Sequence, residues 1–133
     1  MMRSPWCLTL GLLATGPAFA RPATAQTPPN GQSAAERLAR GRALFEGKGL
    51  CFSCHGKNGE GLLGPSTRLA GRPLVHTKPT LADVAAMIKA GIDSAHSASG
   101  QVMPPRGGSR LSDSDIDAIS QYVLDLSARK KPG

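Results

Sequence analysis

Apolar residues recur at helical spacing in three parts of the chain. The first part begins at Ser33, where Glu36 stands three residues later and completes a capping-box pattern. Its apolar stripe consists of Leu38, Gly41 and Phe45. A helix is therefore predicted from Ser33 to a stop at Gly47 or Gly49. Because a glycine inside a helix costs about 1 kcal/mol relative to alanine, Gly41 predicts the close approach of another element.

Two further helices follow the same pattern. The second is predicted to begin at Thr80, with Asp83 in the capping position, and to end at Gly91. The third begins at Ser112, with Asp115 at the same offset. Their apolar positions are Leu81, Val84, Ala85 and Ile88 in the second helix, and Ile116, Ile119, Val123 and Leu126 in the third. No stretch alternates between apolar and polar residues as a strand does, so the predicted fold class is all-α.

Two long connections, residues 56–79 and 92–111, separate these helices. Connections longer than about 12 to 15 residues are uncommon in compact domains unless they are functional. The apolar side chains of three short helices also make a thin core for a domain of this size. A large buried cofactor, on which the connections pack, accounts for both features. The sequence therefore predicts three main helices and long loops wrapped around a cofactor.

The first 25 residues have the pattern of a secretory signal. Arg3 precedes an apolar run, and two A-x-A patterns predict cleavage after Ala20 or Ala25. The run is too short to span a bilayer; the alternative is an uncleaved anchor, and no transmembrane helix is predicted after the signal. Residues 26–32 predict a flexible linker, residues 33–128 a single domain, and residues 129–133 a basic tail. An exported chain of this kind is expected in the periplasm or an equivalent oxidising space.

Removal of the signal changes the charge and the cysteine count. Cleavage after Ala25 removes Arg3 and Arg21, so 14 of the 16 basic residues remain against 9 acidic ones, a net charge of +5. This excess favours acidic docking partners or membrane surfaces. It does not indicate nucleic acid, because the basic residues are scattered and no aromatic platform accompanies them. Cys7 also leaves, and only Cys51 and Cys54 remain.

The segment Cys51-Phe52-Ser53-Cys54-His55 carries the chemistry of the chain. Two thiols one helical turn apart can add across the two vinyl groups of a haem, and the histidine that follows can direct a ring nitrogen at the iron. Three alternatives compete with this covalent haem attachment. A zinc site needs further ligands, a thioredoxin-like pair needs a βαβ context, and a structural disulfide leaves His55 and the long loops unexplained.

A haem held by one histidine has a second axial position, and its occupant decides between electron transfer and ligand chemistry. Met103 is the predicted sixth ligand, because it lies in a loop and two prolines that fix the backbone follow it. Met87 lies within the second helix and is predicted to fill the core. His76 and His96 are the alternative ligands, since both lie in loops. The predicted iron ligands are therefore His55 and Met103.

The order of these features resembles that of the class I cytochromes c over residues 33–127. Gly41 and Phe45 resemble the family's glycine and aromatic residue on the N-terminal helix, and Tyr122 resembles the aromatic residue on the helix that crosses it. Gly64-Pro65 resembles the family's Gly-Pro pair, which implies that the Pro65 carbonyl accepts a hydrogen bond from His55. Without a tryptophan in the mature chain, the candidate partners for the haem propionates are Arg68, Arg72 and Arg110.

The predicted function is that of a soluble monohaem cytochrome c, a monomer that carries single electrons between redox partners and is not an enzyme. Lys48, Lys57 and Arg106 flank the attachment and methionine segments and are predicted to rim the exposed haem edge and to steer acidic partners. The first alternative is a haem subunit docked in a dehydrogenase or oxidase complex. The second is a five-coordinate haem protein that binds ligands or reduces peroxide, if Met103 does not bind the iron.

Overall fold

The computed structural model describes residues 31–130, and this part of the chain is helical. It contains the four α-helices α1 (Ala34–Glu46), α2 (Phe52–His55), α3 (Leu81–Ala90) and α4 (Asp113–Ala128), and two 3-10 turns at Pro65–Thr67 and Pro105–Gly108. Between residues 31 and 130 the sole β-type pairing is one antiparallel bridge between Ile92 and Met103. The all-α prediction is confirmed. The predicted signal, most of the linker and residues 131–133 lie outside the described residues.

The three long helices begin at the residues that the sequence predicts. The Ser33 side chain accepts from the backbone N–H of Glu36, whose carboxylate accepts from the N–H of Ser33. Ser112 and Asp115 form the same reciprocal pair at the start of α4. A capping box satisfies two backbone donors that lack partners in the first turn, and the beginnings of these helices are therefore fixed by local sequence.

The crossing of α1 and α4 explains the glycine within α1. A Cβ atom at Gly41 would lie 2.0 Å from the carbonyl oxygen of Ala118 and 3.1 Å from Cβ of Tyr122. Beside this contact, the rings of Phe45 and Tyr122 meet edge to face at 71°, with centroids 5.3 Å apart, an arrangement that aromatic quadrupoles favour. The predicted close approach at Gly41 is confirmed, because no larger residue fits between the two backbones.

The buried core lies among α1, α3 and α4. Its fully buried large side chains include Phe45, Tyr122, Ile116, Ile119, Leu126 and Val84. Met87 packs against this core, as predicted from its place in α3. Leu81 differs from its prediction: it is the first residue of α3 and is 47% exposed, because the helix begins before its apolar face reaches the core.

Candidate functional site

The two thiols of the site lie in and directly before a short helix. Cys51 is the N-cap of α2 and Cys54 lies one turn later. Hydrogen bonds from Gly61 N–H to the His55 carbonyl (2.8 Å) and from Leu62 N–H to the Cys54 carbonyl (2.9 Å) tie the following loop to the last turn of this helix. Partial burial raises the pKa of the Cys51 thiol to about 11, so the thiol is protonated at neutral pH.

His55 is held in one ring orientation by a backbone carbonyl. Its Nδ1 lies 2.6 Å from the oxygen of Thr67, and because a carbonyl only accepts, Nδ1 must carry the proton. Burial lowers the pKa of His55, and the Thr67 carbonyl opposes that shift in part. The ring is therefore neutral near pH 7, and its Nε2 keeps a lone pair for a metal ion. A hydrogen bond of this kind fixes the ring and raises its basicity as a ligand.

The hydrogen bond predicted between His55 and Pro65 is wrong. The Pro65 carbonyl accepts instead from Arg72 Nη1 and from the N–H of Arg68. Pro65 opens the 3-10 turn that ends at Thr67, so the carbonyl that reaches the ring comes two residues later along the chain. The proline starts the turn, and the threonine supplies the acceptor.

Thr67 was not predicted as a site residue, and its side chain locks the turn. Its hydroxyl donates to the carbonyl of Gly64 (2.9 Å) and accepts from the N–H of Leu63 (3.3 Å). Thr67 is 9% exposed. The one signal in the sequence that points to this residue is its short distance from the Gly-Pro pair, since threonine has no fixed role in haem binding.

Met103 is anchored through its backbone. Its N–H donates to the carbonyl of Ile92, and its own carbonyl accepts from the N–H of Ile92, both at 2.8 Å. Ile92 directly follows Gly91, the C-cap of α3. The antiparallel bridge therefore joins the end of α3 to Met103, the last residue of the methionine loop (residues 93–103). Pro104 and Pro105 then lead into the second 3-10 turn. The methionine loop is thus attached to the end of α3.

One cleft brings the predicted residues together. Its walls include Cys51, Cys54, His55 and Met103, and its volume of about 770 Å³ includes space open to solvent. A smaller apolar cavity continues inward from it, and His55 and Met103 line both spaces. Met87 borders the inner cavity as well. Of the two alternative ligands, His76 lines the outer cleft, whereas His96 is exposed and paired with Asp93.

The residues of this cleft fit a covalently held haem. Two free thiols, one neutral imidazole and one thioether border the same space. No lysine, arginine, aspartate or glutamate between residues 31 and 130 lines either cavity, which suits a large apolar ring. Cofactor sites are generally apolar clefts with a few placed polar groups.

The competing predictions for the cysteines lack the partners they need. Cys51 and Cys54 are both free rather than bonded to each other. Within residues 31–130, no cluster of three or more histidine, cysteine or acidic side chains is arranged to hold a metal ion. The same residues contain no βαβ unit. The arrangement differs from a structural disulfide, a zinc site and a thioredoxin-like pair.

The predicted cationic rim is largely engaged in ion pairs. Lys48 Nζ lies 2.9 Å from a carboxylate oxygen of Asp115, and Arg106 Nη2 lies 2.8 Å from one of Asp113. Lys57 is exposed and forms no ion pair within residues 31–130. Steering by these residues stays a prediction, and two of the three cations present their charge beside a carboxylate.

Helical elements packed around a cleft with a Cys-x-x-Cys-His segment define the class I c-type cytochromes. A family model described as cytochrome c oxidase, cbb3-type, subunit III matches residues 36–123. The match covers more than half of the chain, and the chain belongs to this family. Its cofactor is haem c, attached at the motif of Cys51 and Cys54. No curated protein and no solved structure gives a significant match.

Membership of this family establishes the coarse function of the chain. A c-type cytochrome domain transfers electrons through haem and meets redox partners. Among the described helices, none combines the length and the apolar character required to cross a bilayer.

Proposed function

We propose that the protein carries single electrons with His55 and Met103 as the two axial ligands of one haem, and that it does so as an exported protein in the periplasm. The observation that carries this proposal is the shared cleft: the two free thiols, the oriented imidazole and the thioether of Met103 border one space. c-Type cytochrome domains are typically exported, and the predicted signal fits that location.

Each side chain has a distinct task. Cys51 and Cys54 attach the cofactor covalently, and His55 presents Nε2 while Thr67 holds Nδ1–H. Met103 supplies a thioether, a ligand that raises the reduction potential. Bound haem supplies one-electron chemistry by alternating between ferric and ferrous iron. His55 and Met103 would together hold the iron and leave it no position for a substrate, so the protein would act as a carrier rather than a catalyst.

The ligand assignment is tested with the oxidised, purified holoprotein. A weak absorption band near the red end of the visible spectrum reports a bond between sulfur and ferric iron. We expect the band in the wild type, its loss in Met103→Ala, and its retention in Met87→Ala. Met87 is the matched control because it is the other methionine that borders the inner cavity. Loss of the band in Met87→Ala alone would identify Met87 as the sulfur ligand and would contradict the assignment of Met103.

An unchanged band in Met103→Ala would assign the sulfur ligand to a residue other than Met103, and a wild type without the band would favour a five-coordinate haem. Binding of cyanide or peroxide by the wild type would then be the expected companion result. In that case the cleft would serve ligand chemistry instead of electron transfer.

A second candidate function is that of a haem subunit in an oxidase complex. It is favoured by one observation, the description of the matching family as subunit III of a cbb3-type cytochrome c oxidase. Size-exclusion chromatography of extracts from the native source separates the two candidates. A free carrier elutes at the size of the single chain, and a subunit elutes with an oxidase and remains with it in high salt.

A further inference from the structure

Met103 ends a loop that has little contact with the core. Residues 93–102 join Ile92 to Met103, and all of them except Ser97 are exposed. The two ends of the loop are closed by the paired hydrogen bonds of the Ile92–Met103 bridge. Segments with few buried contacts open locally at low free-energy cost. The position of this loop therefore depends on the few polar contacts that hold it.

One of those contacts crosses the cleft. The backbone N–H of Ala98, in the middle of the loop, donates to Nε2 of His76 over 3.3 Å. Within residues 31–130, no other hydrogen bond and no ion pair joins residues 56–79 to residues 92–111. His76 also lines the cleft that Met103 lines. The imidazole thus links the wall that carries the Thr67 carbonyl to the wall that carries the thioether.

We propose that His76 is a positioning residue for Met103, and that its hydrogen bond to Ala98 holds the methionine loop in the arrangement that keeps the thioether in the cleft. The inference rests on the proposed ligation of iron by Met103. His76 then acts on the axial bond through the loop rather than by touching the iron. We call the hydrogen bond between His76 and Ala98 the tether. Without it, the loop is held at its two ends only, and Met103 is displaced from the iron more readily.

The tether depends on an unprotonated Nε2. A neutral imidazole offers one acceptor nitrogen, whereas an imidazolium ion has two donors and no acceptor. Because the Ala98 N–H donates, the tether requires an acceptor atom at this position.

The experiment measures how easily added imidazole displaces Met103 in the oxidised holoprotein, followed by the loss of the sulfur–iron band at pH 8. In His76→Ala we expect an apparent affinity for imidazole about three- to tenfold higher than in the wild type, as for the loss of one hydrogen bond. His76→Gln keeps an acceptor for Ala98 and should restore most of the wild-type value. His96→Gln changes the other loop histidine, which makes no contact across the cleft, and should leave the affinity unchanged.

Rescue by His76→Gln is the readout that a purely structural role would not give, because glutamine restores the acceptor and not the imidazole ring. Equal affinities in the wild type and His76→Ala at pH 8, or the same increase in His96→Gln, would overturn the tether. A wild type without the sulfur–iron band would instead overturn the Met103 ligation itself, so the two failures are distinguishable.

Discussion

At the scale of single residues, Gly91 decides how closely the methionine loop approaches α3. Its φ of +72° lies in the left-handed region, and a Cβ atom there would meet the carbonyl oxygen of Met103 at 2.4 Å and the nitrogen of Pro105 at 2.7 Å. Gly100, farther along the same loop, has the same φ of +72° and no atom within 4 Å of such a Cβ. A comparison of the two positions therefore separates the cost of a left-handed backbone from the cost of a steric contact.

Alanine at these two positions is expected to give different results. Gly100→Ala should cost about 1–2 kcal/mol for the left-handed backbone. Gly91→Ala should cost about 2 kcal/mol more, because the new methyl group overpacks against Met103 and Pro105. Denaturant unfolding of the holoproteins measures both values, and the sulfur–iron band should weaken in Gly91→Ala alone. Equal losses of stability and intact bands in both variants would contradict the close contact.

Thr67 is the second residue with a local test. Thr67→Val keeps the branched shape but leaves the N–H of Leu63 without its hydroxyl acceptor, which is expected to cost about 1–2 kcal/mol of unfolding free energy. Because the turn that holds the carbonyl against His55 loosens, the reduction potential should also shift. Thr77→Val is the matched control, since the Thr77 hydroxyl makes one long contact of 3.4 Å to its neighbour Lys78. An unchanged potential in Thr67→Val would show that the hydroxyl does not hold the carbonyl.

The sequence predicted the chemistry of single residues better than their contacts. Cys51, Cys54 and His55 are recognised by spacing, because the attachment chemistry needs those residue types at those positions. The partner of His55 is a backbone carbonyl, and every residue has one, so residue type could not separate Pro65 from Thr67. The link between His76 and Ala98 joins positions 22 residues apart, and no local pattern records it.

At the scale of elements, α4 is joined to α1 by packing at Gly41 and by a carboxylate. Asp115 is buried, and its oxygens contact Arg40 Nη2 at 2.7 Å and Lys48 Nζ at 2.9 Å. The same side chain accepts from the N–H of Ser112 in the capping box. One residue therefore caps α4 and connects it to α1 and to the turn that leads to Cys51.

Asp115→Asn should show this connection as a dependence of stability on pH. The hydrogen bond from Lys48 and that from the Ser112 backbone hold the pKa of Asp115 well below its ordinary value of 3.8. A carboxyl with a lowered folded-state pKa stabilises the fold above its ordinary pKa, and this stabilisation is lost as the pH falls below it. The unfolding free energy of the variant should be about 2 kcal/mol lower than that of the wild type at pH 7. As the pH falls from 5 to 2, the unfolding free energy of the variant should decrease less than that of the wild type.

Asp117→Asn provides the control for that measurement. Asp117 lies on the same helix, is exposed, and forms no ion pair within residues 31–130. Its replacement should leave the unfolding free energy close to that of the wild type, both at pH 7 and between pH 5 and 2. A similar acid dependence in the wild type and Asp115→Asn would show that the two cations add nothing to stability.

The sequence located the long helices because their signals are local. Capping residues, glycine stops and apolar periodicity all lie within one element, and Ser33, Thr80, Ser112, Gly47 and Gly91 mark the observed ends. The two 3-10 turns and the Ile92–Met103 bridge were missed. They depend on contacts between loops and on backbone angles such as the positive φ of Arg106, which apolar periodicity does not encode.

At the scale of the whole molecule, the distribution of charge bears on how partners approach. No lysine, arginine, aspartate or glutamate within residues 31–130 lines the cleft, and Lys48 and Arg106 are paired with carboxylates. Lys57, directly after the attachment motif and its glycine, keeps an unpaired ammonium among the described residues. Long-range attraction of an acidic partner depends on net charge and is screened by salt.

Electron transfer to an acidic redox partner should therefore slow as ionic strength rises, and Lys57→Gln should make that dependence shallower. Arg42→Gln removes the same charge from α1, where it is paired with Glu46, and it should change the dependence less. Stopped-flow rates over a series of salt concentrations provide the comparison. A flat profile in the wild type would remove steering by charge, and equal effects of the two variants would remove the special role of Lys57.

The covalent attachment of one haem through Cys51 and Cys54 is tested most directly by the intact mass of the exported polypeptide, purified and denatured from cells that carry out haem attachment. The wild type should exceed the mass of the processed chain by one haem, and the variant with Cys51→Ala and Cys54→Ala should have the mass of the processed chain alone. A wild-type chain with no added mass, or the same added mass in the doubly substituted chain, would contradict attachment at these two cysteines.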